Sequence, residues 1–69
     1  MVEVFKTDVQ EAKEEIILLD VLVKQFPGHK INFDLSDCDN ILRVEGSNIS
    51  CKEIIEIMLA NNYKCEVLE

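Results

Sequence analysis

The stretch from Phe26 to Gly46, FPGHKINFDLSDCDNILRVEG, limits the fold more than any other part of the chain. Pro27 has no N–H to offer a helix, and Gly28 takes backbone angles that other residues avoid, so a helix arriving here must stop. The run KINFDL then alternates. Ile31, Phe33 and Leu35 point to one side, and Asn32 and Asp34 to the other, the period of a half-buried strand. SDCDN is a turn cluster. In ILRVEG, Leu42 and Val44 fall inward, and Ile41, Arg43 and Glu45 outward. Two such runs joined by such a cluster predict a β-hairpin.

The flanking segments extend the pattern. VEVF at 2–5 predicts a first strand, with Val2 and Val4 inward and Glu3 and Phe5 outward. Thr7 or Asp8 can cap a helix, and Asp8 with Glu11 has capping-box spacing. That helix is expected from about Val9 to Phe26, with a core stripe of Ala12, Ile16, Leu19, Val23 and Phe26. Leu22 borders the stripe, and Ile17, Leu18 and Val21 fall on the back of the helix. Ser50 with Glu53 predicts a second capped helix, reaching about Asn61 and burying Ile54, Ile57 and Met58. Asn62 is suited to the left-handed turn that ends it. YKCEVL at 63–68 predicts a last strand with Cys65 and Val67 inward.

The expected order is therefore β-α-β-β-α-β within a single domain spanning 1–69. Right-handed crossovers turn that order into an α+β sandwich, a four-stranded antiparallel sheet with two helices on one face, which is the ferredoxin-like arrangement. The core should comprise Val4, Ile16, Leu19, Val23, Phe26, Ile31, Phe33, Leu42, Val44, Ile54, Met58 and Val67.

Several of these segments resemble the heavy-metal-associated domains of copper chaperones and metal-transporting ATPases. They are Phe-Pro-Gly ahead of an alternating strand, ILRVEG ahead of a capped helix, and the closing NNYKCEVL. The resemblance implies the same ferredoxin-like fold. That family holds soft ions such as Cu(I) with two thiolates in an M-x-C-x-x-C loop between the first strand and first helix. The equivalent loop here reads FKTDVQEA. One alignment places Asp8 and Glu11 at the cysteine positions, another Ala12 and Glu15. Neither supplies a thiolate, so no metal ligand carries over and no cofactor is expected.

Composition narrows the function further. A net charge of −7 opposes contact with nucleic acid or an anionic membrane. Apolar runs fall far short of a membrane span, no basic segment leads an apolar one, and a cytoplasmic protein is expected. Three cysteines, Cys38, Cys51 and Cys65, stand far apart and lack the spacing of a disulfide framework or zinc site. Asp8 and Glu11 are hard ligands suited to a weak Ca²⁺ or Mg²⁺ site, although helix capping accounts for both. Asp34, Asp37 and Asp39 lack the spacing of a calcium loop. His29 is the sole histidine, with no nucleophile near it in sequence, and is expected to be solvated. No enzyme is expected.

Apolar residues left over after the core is filled point instead to contacts. Ile17, Leu18 and Val21 form one candidate interaction surface. Phe5 and Ile41, with Leu68 beside them, form another on the sheet face away from the helices. Leu59 should point outward from the second helix. These residues suggest a metal-free relative of the heavy-metal-associated domain that forms a homodimer or binds a protein partner. The alternative is a metal-binding or transport-related protein with non-standard ligands.

Overall fold

The computed structural model describes residues 1–34 and 40–68. The elements run β1 (Val2–Thr7), α1 (Ala12–Gln25), β2 (Lys30–Asp34), β3 (Ile41–Glu45), α2 (Cys51–Ala60) and β4 (Cys65–Val67). Every neighbouring pair in the sheet is antiparallel, and the strand order is β2-β3-β1-β4. The expected residues Leu35, Asp37, Cys38 and Asp39 of the hairpin turn lie outside the described residues.

The hairpin is as its alternation predicts. Ile31 pairs with Val44 and Phe33 with Leu42. Leu42 and Val44 are fully enclosed, and Ile31 nearly so. The second helix is also as expected. Ser50 Oγ accepts the Glu53 N–H at 3.3 Å. Asn61 is the C-cap, and Asn62 takes a φ of 71°.

The first strand has the opposite parity to that expected. Phe5 is 0% exposed and Val4 only half-buried. Phe5 lies beside Leu42 and Glu3 beside Val44, so Glu3, Phe5 and Thr7 face the helices. Two valines on one side had suggested the reverse. The larger aromatic gains more from burial, and Val9, also 0% exposed, continues the inward set beyond the strand. Phe5 is therefore core, not surface.

The first helix also differs. It starts at Ala12, with Glu11 as N-cap, and the Glu11 N–H donates to Glu14 Oε1 at 3.2 Å. Neither Thr7 nor Asp8 caps it. Leu18 and Leu22 are buried, while Ile16 is 68% and Val23 50% exposed. Phe26 belongs to both possible stripes. Stepping back from it by fours gives Leu22 and Leu18; stepping by three and four gives Val23, Leu19 and Ile16. The later helix start leaves Val9 free to fill the end of the core, and the leucine stripe is the one that packs.

Leu18, Leu22 and Phe26 of the α1 region join Ile54 and Met58 of α2 in one cluster with Phe5, Ile31, Leu42, Val44 and Cys65. Val67, expected in the core, sits at its margin and is 37% exposed. Helix α1 lies against β2, and α2 against β4.

Candidate interaction surface

Five residues were expected to carry contacts, and they divide. Phe5 and Leu18 are buried. Val21 and Ile41 are half-buried. Ile17 is 63% exposed. The exposed apolar residues of α1 are thus Ile16, Ile17 and Val23, of which the sequence pattern had marked only Ile17. What hid the other two was the shared Phe26 anchor, which fits both stripes equally.

The position of these side chains on α1 follows from the helix period. The hydroxyl of Tyr63, just after α2, donates to Glu14 Oε2 at 2.6 Å, so Glu14 marks the flank of α1 turned toward α2. At about 100° per residue, Ile16 and Val23 lie roughly 140–160° round from Leu18, on the side away from Glu14. That side overlooks β2, an outer strand of the sheet. Ile17 lies on the other flank. Between the two lie Lys13, Asp20 and Lys24, with Lys24 Nζ 3.0 Å from the Asp20 carboxylate.

The sheet face away from the helices carries Val2, Val4, Lys6, Ile41, Arg43 and Glu45 on its central strands. Leu68 is 41% exposed, and its N–H donates to the Val4 carbonyl at 2.9 Å. Apolar residues there are interleaved with both signs of charge. Leu59, 57% exposed as expected, borders an open groove of about 380 Å³ whose other walls include Thr7, Lys64 and Cys65.

Among the described residues, Asp8 and Thr7 serve the frame of the fold. Asp8 Oδ1 accepts the Lys64 N–H at 2.8 Å, which ties the β1–α1 loop to the start of β4. Thr7 Oγ1 donates to the Asn40 carbonyl at 2.6 Å and accepts the Val9 N–H at 3.3 Å. Burial pushes the Cys65 thiol up to about 12. Burial first, and the Glu3 carboxylate second, raise the Cys51 thiol as well. Both shifts favour the thiol over the thiolate, which is the more nucleophilic form. Among the described residues, no group of three or more His, Cys, Asp or Glu side chains is placed to hold a metal ion.

His29 is not solvated as expected. Its two ring nitrogens are buried without a hydrogen-bond partner among the described residues, and its ring lies 5.9 Å from that of Phe26. No helix among the described residues is long and apolar enough to cross a membrane.

No family model matches the chain. No curated protein and no solved structure matches it either.

Proposed function

We propose that this chain is a ferredoxin-like domain, similar to the heavy-metal-associated domains but without their thiolate loop, and that it acts as a self-associating interaction module. The strand order β2-β3-β1-β4 supports the fold. The observation that carries the function is the exposure of three large aliphatic side chains on one helix. Ile16 is 68%, Ile17 63% and Val23 50% exposed. Ile16 and Val23 share the flank of α1 above β2, and neighbouring exposed aliphatic side chains of this kind can mark a contact surface.

The occupant is a second copy of the chain. The overall charge of −7 opposes self-contact, but this face does not share it. Glu11 and Lys13 offset one another there, as do Asp20 and Lys24. Ile16 and Val23 together offer on the order of 200 Å² per copy, less than the largest patch on an ordinary monomer. Two such patches fall short of the roughly 1,200 Å² of a stable interface, so α1 alone gives weak association.

Sedimentation at rising protein concentration tests this. The wild type should associate in the high-micromolar range. Ile16→Gln with Val23→Gln, which leaves the net charge unchanged, should remain monomeric with the same circular dichroism. A wild type that stays monomeric throughout refutes self-association.

A further inference from the structure

We propose that β2 is a self-pairing edge, joining the β2 strand of a second copy antiparallel about a two-fold axis at Asn32. This inference rests on the self-association proposed above, and names the strand and register through which it occurs.

Among the described residues, strand β2 pairs only with β3. The direction of its backbone groups follows from the ladder. The Gly46 N–H donates to the Met1 carbonyl at 3.0 Å, toward β1. Antiparallel residues alternate in the side to which both backbone groups point. Leu42 and Val44 therefore bond to β1, and Ile41, Arg43 and Glu45 to β2. The partners of those three on β2 are Asp34, Asn32 and Lys30. The N–H and C=O groups of Ile31 and Phe33 are left pointing out of the sheet.

A second copy of KINFD fits that edge in one register better than in the others. With Asn32 opposite Asn32 of the second copy, Ile31 stands opposite Phe33, and both outward residues exchange hydrogen bonds. Four bonds form across the axis. The same register sets Lys30 opposite Asp34 at each end. Asp34 has an interaction within its own chain as well, and a carboxylate can accept from more than one donor. Sliding the strands to centre on Ile31 or Phe33 loses two of the hydrogen bonds and both charge pairs. Charged side chains on an edge strand ordinarily repel other strands. Here their signs and spacing exclude most partners but suit a second β2.

The rest of the edge agrees with the same axis. Phe33, half-buried on the helix side, meets Ile31 of the second copy. Above β2, the flank of α1 turned away from α2 carries Ile16 and Val23. An antiparallel second α1 places Ile16 opposite Val23. Strand edge and helix flank together add the area that α1 alone lacks.

A charge-swap series measured by sedimentation at low salt tests the register. Lys30→Glu sets two carboxylates against each other at both ends, and Asp34→Lys sets two ammonium groups. Each single variant should associate at least about tenfold more weakly than wild type. The two variants mixed should form a heterodimer. At one end the carboxylate introduced at position 30 then meets the ammonium introduced at position 34. At the other end the native Asp34 of the first variant meets the native Lys30 of the second. Misfolding of either variant cannot produce that recovery. Single variants that associate like wild type, or a mixture that does not recover, overturn the β2 pairing. If Ile16→Gln with Val23→Gln still abolishes association in that case, the module stands and only the strand is wrong. A monomeric wild type overturns both.

Discussion

Replacing Gly46 by alanine should change the sign of its effect with the residue at position 29. A Cβ built at Gly46 would lie 2.9 Å from His29 Cδ2 and 3.1 Å from Cγ, and all three of its nearest neighbours are His29 atoms. Carbon atoms do not approach that closely. The ring must move or the strand must shift, at an overpacking cost of about 1–3 kcal/mol. Against this, Gly→Ala at a compatible backbone position stabilises by about 0.4–1 kcal/mol through the unfolded chain. Gly46 is compatible, because Gly28 is the one glycine with positive φ. The net expectation for Gly46→Ala is destabilisation by about 1–2 kcal/mol. In a His29→Ala background the obstacle is gone, and the same substitution should stabilise by about 0.4–1 kcal/mol. Urea denaturation of the four proteins in the cycle measures both values. An equal effect of Gly46→Ala in the two backgrounds would refute close packing of ring on glycine. His29→Ala alone should cost little, because it also removes two buried nitrogens that have no partner among the described residues.

The parity of β1 gives a second test. Phe5→Ala should cost about 3–5 kcal/mol, whereas Val4→Ala on the open face should cost about 1 kcal/mol; the opposite ranking in urea would return β1 to its expected register. The Tyr63–Glu14 hydrogen bond gives a third. It holds the Glu14 carboxyl below its ordinary value and raises the Tyr63 phenol. The lowered carboxyl contributes stability above the ordinary glutamate value and loses it as pH falls through the folded one. The raised phenol contributes below its ordinary value and loses it as pH rises through the folded one. Tyr63→Phe should therefore move the Glu14 titration, followed by NMR, upward toward the ordinary value. An unchanged midpoint would show that the bond does not persist in solution.

The parts of the fold that were legible in the sequence are those where a local signal had a single solution. Pro27-Gly28 stops α1, Ser50 starts α2, and the alternation of KINFD and ILRVE sets one register for the hairpin. The parts that were not legible had two solutions of similar quality. VEVF offers two valines to one face and an aromatic to the other, and only the long-range pairing of Phe5 with Leu42 and Val67 decides between them. Helix α1 has apolar residues almost all the way round, so periodicity alone does not choose a buried side. The same ambiguity governed the candidate surface. Leu18 and Phe5 entered the core, and Ile16 and Val23 took their place outside. The helix start would have helped, because Glu11 with Glu14 has the same spacing as Asp8 with Glu11 and places the cap one turn later.

Strand β1 occupies the inside of the sheet, between β3 and β4. Both neighbours are synthesised long after it, and Cys65–Val67 follows only when every other element has been made. The β2–β3 hairpin closes a short loop and can form early, whereas β1 must wait for partners across long ones, at greater entropic cost. A nascent chain that has not yet reached β4 therefore holds β1 with one flank open. The Val4 carbonyl, which accepts the Leu68 N–H at 2.9 Å in the folded protein, then belongs to an exposed strand edge open to any other chain. Completion of this sheet, and its protection from wrong pairing during synthesis, both depend on a late-made strand of three residues.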